Sequence, residues 1–212
     1  TGMDVLLSAV ADKMHDEEDA CFLCVLNDVS SLKESQTKLR TQVVTDLLTG
    51  LPNRQGLFEY LSTMRPASKE VTEKVAILYI DLDNFKWVNE THGHEAGDNL
   101  LIEAAGRLRG CLTAADFLAR LGGDEFAVIL RGLKEDDDAV ALGLRELGVL
   151  VSPFHLGEIV VHVGCSIGIA VLGIHSSNAE ELLRLADLAM YKSKQQGKNR
   201  ISVYSTDLGD KA

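Results

Sequence analysis

Four acids stand at two points where the chain could bring them together. Asp81 and Asp83 close the apolar run that begins at Val75, and Asp124 and Glu125 follow the pair Gly122-Gly123. An acid that ends such a run belongs at the mouth of a buried strand. Gly-Gly-acid-acid between two β-prone stretches has the composition of a hairpin turn. Two carboxylates at a strand end and two on a neighbouring turn are oxygen ligands suited to Mg²⁺, which often uses one or two carboxylates plus substrate phosphates. Clustered acids otherwise repel and raise one another's pKa, so the grouping favours a cation. Taken singly, each pair reads more readily as an acidic turn in solvent; the two together, an acid ending an apolar strand near a Gly-Gly-acid-acid hairpin, do not. A second group is basic: no acid falls between Asp187 and Asp207, but Lys192, Lys194, Lys198 and Arg200 do. Cations suit a helix C-terminus, and the same cations suit a phosphate.

The cysteines carry less. Cys21 and Cys24 have C-x-x-C spacing, but Cys111 and Cys165 stand alone and no nearby His completes a four-ligand set. Cys21-Phe22-Leu23-Cys24 lies in a strand-like run, where the two thiols point to opposite faces. All four read as buried reduced thiols, which fits a cytosol-type compartment.

These residues sit in a chain of 212 with 21 basic and 32 acidic residues, a net charge of −11, 46% apolar and 5% aromatic content. That length can bury a sizeable core. The charge argues against nucleic acid or an anionic membrane surface as the main partner, and the apolar content against a disordered chain. No apolar run approaches the ~20 residues of a spanning helix, and the start has no signal-peptide pattern. One anionic partner stays open: a small phosphate ligand carried by a metal ion.

The elements that must position these groups follow from periodicity. Residues 4–11 and 20–29 read as two strands, joined through the acidic stretch 16–19. Because a lone hairpin is marginal in water, they look like the end of a larger domain. Residues 30–45 read as a polar helix with a narrow stripe of Leu32, Leu39 and Val43. Gly50 can end a helix and Pro52 can open the next, over 54–64. Val75–Asp81 is a buried strand, 84–90 a short helix, 91–98 a loop and 99–112 an amphipathic helix. Phe117–Leu121 and Phe126–Leu130 form a hairpin. Residues 136–151 are helical, and Ile159–Leu172 is one long β-rich run. Ser177-Asn178-Ala179-Glu180 resembles a capping box opening a helix to about Gln196, and 201–204 is a last short strand. The order predicts an α/β sandwich whose sheet is mixed or largely antiparallel, with helices on its faces.

Arg120-Leu121-Gly122-Gly123-Asp124-Glu125-Phe126 contains the GGDEF signature, and the chain resembles the GGDEF family of diguanylate cyclases. Further matches run in the family's order: Asp46-x-Leu-Thr-Gly-Leu-Pro-Asn-Arg54, Asp81-x-Asp83-x-Phe85-Lys86-x-x-Asn89, Gly93-His94-x-x-Gly97-Asp98, Ser166-Ile-Gly-Ile-Ala170 and Asp187-x-Ala-Met-Tyr191-x-x-Lys194-x-x-Gly197-Lys198-Asn-Arg200. The resemblance implies an α+β fold with a central, mainly antiparallel five-stranded sheet flanked by helices, akin to nucleotide cyclases and polymerase palms. It implies condensation of two GTP into cyclic dimeric GMP and two pyrophosphates, with two domains meeting as a homodimer. The implied domains are a PAS-like C-terminal fragment over 1–29, a signalling helix over 30–45, the catalytic domain over 46–206 and a tail over 207–212. The implied location is cytoplasmic, with no nucleic-acid partner and no membrane contact in this segment.

The implied roles attach to particular residues. Asp81, Asp124 and the Leu82 carbonyl hold two Mg²⁺ (or Mn²⁺) per site. Asp124 is the presumed proton acceptor, Glu125 assists the second metal or the attacking hydroxyl, and Lys86 contacts phosphate. Gly122 and Gly123 permit φ > 0 and let nucleotide approach the backbone. Asn89 and Asp98 read guanine: a carboxylate accepts from N1–H and the 2-amino group, and an amide NH₂ meets O6 and N7. His94 neighbours the ligand, whereas His92 reads as structural or solvated. Lys194 and Lys198 contact phosphates. Two other readings exist: a silent GGDEF module that binds GTP or a protein partner, and a cyclase acting on one nucleotide.

One departure matters. Where many members have an inhibitory Arg-x-x-Asp motif, this chain has Thr113-Ala114-Ala115-Asp116. Thr cannot make the bidentate contact that Arg makes. Weak or absent product inhibition through this site is expected. Low-micromolar binding of cyclic dimeric GMP, abolished by Asp116→Ala in a titration, would contradict it.

Overall fold

A computed structural model describes residues 5–12, 21–28, 43–64, 74–135 and 137–205. The chain divides into two compact units, Thr1–Val43 and Val44–Ala212. In the first, β1 (Val5–Asp12) pairs antiparallel with β2 (Cys21–Asp28), in a register running from Val5 opposite Asp28 to Asp12 opposite Cys21. The expected helix over 30–45 falls almost wholly outside the described residues, as do the 16–19 connection and the 207–212 tail.

The second unit contains α1 (Arg54–Thr63), β3 (Lys74–Asp83), α2 (Phe85–His92), α3 (His94–Cys111), β4 (Phe117–Gly122), β5 (Glu125–Leu133) and α4 (Asp137–Val151). Then follow β6 (Phe154–Leu156), β7 (Ile159–Val161), β8 (Gly164–Val171), α5 (Ala179–Gln195) and β9 (Arg200–Val203). Five strands form one sheet in the order β4-β5-β3-β8-β9. All its pairs are antiparallel except β8–β9, which is parallel. This is the mainly antiparallel α+β sheet the sequence implied.

The central strand β3 has helices over both faces, and every residue after Lys74 is buried. Alternation along it builds two cores. Val75, Ile77 and Tyr79 pack with Leu57 and Leu61 of α1 and Leu182, Ala186 and Met190 of α5. Ala76, Leu78, Ile80 and Leu82 pack with Leu100, Leu101 and Leu108 of α3 and Ala139 and Leu150 of α4. Helix α5 lies directly on β8 at Gly168, where any Cβ would overlap the Ala186 carbonyl oxygen and the Met190 amide nitrogen. That close approach seats the later turns of α5 over the sheet.

Four local expectations change. Residues 94–98 are not a loop: α2 and α3 are separated by Gly93 alone (φ 87°). Ala96, Gly97, Leu100, Leu101 and Ala104 form one continuous buried face of α3, which outweighs the loop-like composition of its start. The run 159–172 is divided: β7 turns back on β6 as a separate hairpin, and only β8 joins the main sheet. Asn53, not Pro52, opens α1, its side chain accepting from Gly56 N at 3.0 Å. Asn178 rather than Ser177 caps α5, accepting from Glu180 N and Glu181 N.

Helix α4 carries an anomaly. Its buried stripe is Ala139, Gly143, Glu146 and Leu150, and neither carboxyl oxygen of Glu146 has a hydrogen-bond partner. Burial pushes Glu146 up to about 8 from its ordinary 4.5, with Arg145 opposing the rise and Asp116 adding to it. A folded value above the unfolded one means that folding takes up a proton between them, so stability falls as pH rises through that window. Glu146→Gln removes the effect. The melting temperature of the variant relative to wild type is expected to climb from about pH 5 to about pH 8; a constant difference across that range would refute it.

Candidate active site

The acids assemble where β3 ends beside the β4–β5 turn. Asp81 stands opposite Glu125 on β5 and Ser166 on β8. The turn residues Gly122 (φ 139°) and Gly123 (φ 52°) take conformations that side chains disfavour. Leu82 N donates to Asp124 O at 3.2 Å, which stitches the turn to the end of β3. Arg120 fixes it from behind: Nε and Nη2 donate to Gly123 O at 3.1 and 2.7 Å, and Nη1 reaches both Asp46 oxygens at 3.0 Å. Asp46 also accepts from Thr49 N and Oγ1. Burial pushes its carboxyl up, but the Thr49 hydrogen bonds and Arg120 outweigh this and hold it below the usual range.

Electrostatics at the turn favour a cation. Asp81 is 5% exposed, and burial raises its carboxyl to about 6, with Asp124 and Asp83 adding to the rise and Lys194 opposing it. Lys194 Nζ lies 2.6 Å from Asp81 Oδ2. Burial also raises Asp124, against Lys194 and with Glu125. Asp187 on α5 is raised by burial and by Glu125. Glu125 hydrogen-bonds Tyr79, whose phenol is raised by burial first and by Glu125 second. The Arg54 guanidinium lies 3.6 Å from Glu125 Oε2. Desolvated, mutually repelling carboxylates fit a hard divalent ion. Among the described residues no group of three or more His, Cys, Asp or Glu is arranged to hold a metal. Two carboxylates such as Asp81 and Asp124 are a donor set that Mg²⁺ can use when the rest of its shell comes from water or phosphate oxygens.

Asp83 departs from the expected cluster. It shares the face of Asp81 but is already satisfied: Ser166 Oγ donates to Oδ1 at 2.9 Å and Asn199 N to Oδ2 at 2.8 Å. It ties down the turn after α5, where Lys198 (φ 61°) and Asn199 (φ 48°) are left-handed.

The other expected site residues lie around this centre. Lys198 Nζ donates to Asn84 Oδ1 at 2.7 Å. Lys86 is exposed and 3.5 Å from Glu90. Asn89 is half-buried on α2, and His94 and Asp98 are exposed on α3. Among the described residues, no hydrogen bond or ion pair joins Asn89, His94 or Asp98 to the carboxylates. Asp116 is occupied, accepting from Thr113 N and Thr113 Oγ1 in its own turn and from Arg131 N of β5. Arg54, Tyr79, Asp187 and the Asp46–Arg120 pair were not singled out as site residues from the sequence. Their signals were present in the matched segments, except for Tyr79, which strand alternation places on the face of Asp81.

Comparison with known proteins matches this geometry to a family. The profile described as "Diguanylate cyclase, GGDEF domain" matches residues 43–200. The chain belongs to the GGDEF family. That match leaves the PAS-like resemblance of residues 1–29 unsupported. Diguanylate cyclase DgcP of Escherichia coli is 38% identical over 79% of this chain and 49% of its own length. The cyclic di-GMP phosphodiesterase PdeR of the same organism is 35% identical over 89% of this chain and 28% of its own. The chain thus spans half or less of these curated relatives. Among solved structures, the GGDEF domain of TpbB (YfiN) from Pseudomonas aeruginosa superposes with a TM-score of 0.71 at 38% identity, over 74% of this chain and 98% of that one. The coiled coil and GGDEF domain of DgcB from Caulobacter crescentus, in complex with c-di-GMP, gives 0.72 at 26% identity, over 82% and 93%.

The GGDEF turn depends on one guanidinium that spans two acceptors. Arg120→Lys keeps the charge but cannot bridge them. A loss of about 1–3 kcal/mol is expected in denaturant unfolding, with Arg120→Ala at the upper end. Wild-type stability in both variants would show that the clamp contributes nothing.

Proposed function

We propose that this GGDEF domain is an active diguanylate cyclase. The observation that carries the reading is the pair Asp81–Asp124: two desolvated carboxylates with raised pKa, at a turn whose glycines leave the backbone open, with Lys194 against one of them. Substrate is two GTP and product is cyclic dimeric GMP. Each ribose 3′-oxygen bonds to the α-phosphorus of the other nucleotide, and each α–β phosphate bridge breaks to release pyrophosphate. Asp81, Asp124 and the Leu82 carbonyl would hold Mg²⁺, which when bound neutralises triphosphate charge and acidifies the attacking hydroxyl.

The chain's own residues do the rest. Asp124 receives the hydroxyl proton. Glu125, held by Tyr79 and Arg54, borders the attacking hydroxyl and is not equivalent to Asp124. Lys194 exchanges Asp81 for phosphate oxygens as nucleotide enters, and Lys198 and Lys86 add point charges there. Asn89 and Asp98 read the guanine edge, with His94 beside them. One domain holds one nucleotide, so two copies must meet. No helix among the described residues is long and apolar enough to cross a membrane.

Incubating the protein with GTP and Mg²⁺ should yield cyclic dimeric GMP by mass spectrometry, at a rate per enzyme that rises with protein concentration until dimers saturate. Asp124→Ala should abolish turnover while the circular dichroism spectrum is unchanged. No product from folded wild-type protein at any concentration would leave a GTP-binding regulatory module. A cyclic mononucleotide would point to chemistry within one site.

A further inference from the structure

Two glycines mark the crossing of α2 and α3, for different reasons. Gly93 has φ 87° and nothing within 4 Å of where a Cβ would stand, so its backbone conformation selects glycine. Gly97 is buried inside α3 with no such conformational demand. There a Cβ would overlap Asn89 Oδ1 outright, come within 2.9 Å of Asn89 Cγ and lie 3.2 Å from Phe85 Cζ. Space selects this glycine, and what fills the space is the side-chain amide of Asn89.

The order of those contacts fixes the amide's direction. Oδ1 is nearer to Gly97 than Cγ is, so the carbonyl end is turned into α3 and the NH₂ end is turned away from it. An amide seated in this way presents donors. Guanine offers acceptors at O6 and N7, whereas adenine carries an amino donor at position 6. Asp98 follows Gly97 directly and is exposed, so the helix separation at Gly97 also sets the distance between Asn89 and Asp98.

We propose that Gly97 is a positioning residue for base selection: its missing side chain lets Asn89 seat its carbonyl against α3 and hold its amide donors toward the O6/N7 edge of a bound purine nucleotide. The inference rests on the assignment of Asn89 as a base reader made above. An alanine at Gly97 expels the carbonyl, rotates or displaces the amide and widens the gap to Asp98. Lys194 and Lys198, on α5 and the turn that follows it, are untouched; Lys86 shares α2 with Asn89 but is exposed on it.

The test is equilibrium binding of the α,β-methylene analogues of GTP and ATP, which cannot release pyrophosphate, to the full chain. Gly97→Ala is expected to weaken the guanosine analogue by about tenfold or more and leave the weaker adenosine analogue unchanged. Asn89→Ala should do the same. The double variant should bind no more weakly than Asn89→Ala alone, because the atoms that clash are gone. Equal losses for both nucleotides, or losses that multiply in the double variant, would overturn the inference and leave Gly97 as a packing glycine. Should Gly97→Ala fail to fold alone, the double variant decides: recovered folding supports the steric coupling, and its absence overturns it. Wild-type guanosine affinity in Asn89→Ala would instead overturn the base-reading assignment itself, whatever Gly97→Ala does.

Discussion

Asp81 ends a row of apolar side chains, Val75, Ile77 and Tyr79, with its carboxylate almost wholly removed from water. Burying an unpaired carboxylate costs several kcal/mol. The neighbouring elements can be understood by how they respond to that cost. Helix α5 brings an ammonium within 2.6 Å, and it can do so only because Gly168 lets its backbone lie on β8. The β4–β5 turn brings Asp124, which makes the charge problem worse. Without a further cation, both carboxyls sit above their ordinary pKa. Two desolvated carboxylates that repel each other suit a divalent cation: the fold tolerates their charge but does not neutralise it.

The rest of the domain separates rigidity from exchange. Carboxylates with fixed structural duties are saturated by several donors at once, from backbone, hydroxyl and, for Asp46, guanidinium groups. Asp83 receives Ser166 and the Asn199 amide, Asp116 receives the Thr113 and Arg131 amides, and Asp46 receives Thr49 and Arg120. Asp81 is held instead by a side-chain ammonium on a flexible stem, a partner that can move without disturbing the backbone. The same residue type thus does opposite work, and the donor decides which.

Much of this could be read from the sequence. The strand β3 announced itself by an unbroken apolar run, the β4–β5 hairpin by Gly122-Gly123, and the family by the order of its motifs. Local composition misled where tertiary contact overrode it. Residues 94–98 look like a loop because of Gly93, His94 and Gly97, yet Ala96 and Gly97 pack into the α3 face. Asn53 and Asn178 displaced the expected helix starts because their amide oxygens capture the free backbone amides of the first turn. The different fates of Asp81 and Asp83 could not be read, since both occupy one face of one strand. Partners from distant parts of the chain distinguish them: Ser166 and Asn199 for Asp83, Lys194 for Asp81. Glu146 was equally invisible, because an acid on a helix reads as solvated until a sheet covers it.

The order of these groups along the chain has a consequence for biosynthesis. Asp46, Asp81 and Asp124 leave the ribosome before Lys194, which belongs to α5. While the chain is being made, the carboxylates exist before the cation that restrains them. The early segment carries its own counter-charge for Asp46 once Arg120 appears, so the turn scaffold can form first. The pairing of Asp81 cannot, because Lys194 arrives with the helix that closes the core around Val75, Ile77 and Tyr79. A nascent chain therefore carries the carboxylates of β3 and of the β4–β5 turn well before the ammonium that partners Asp81.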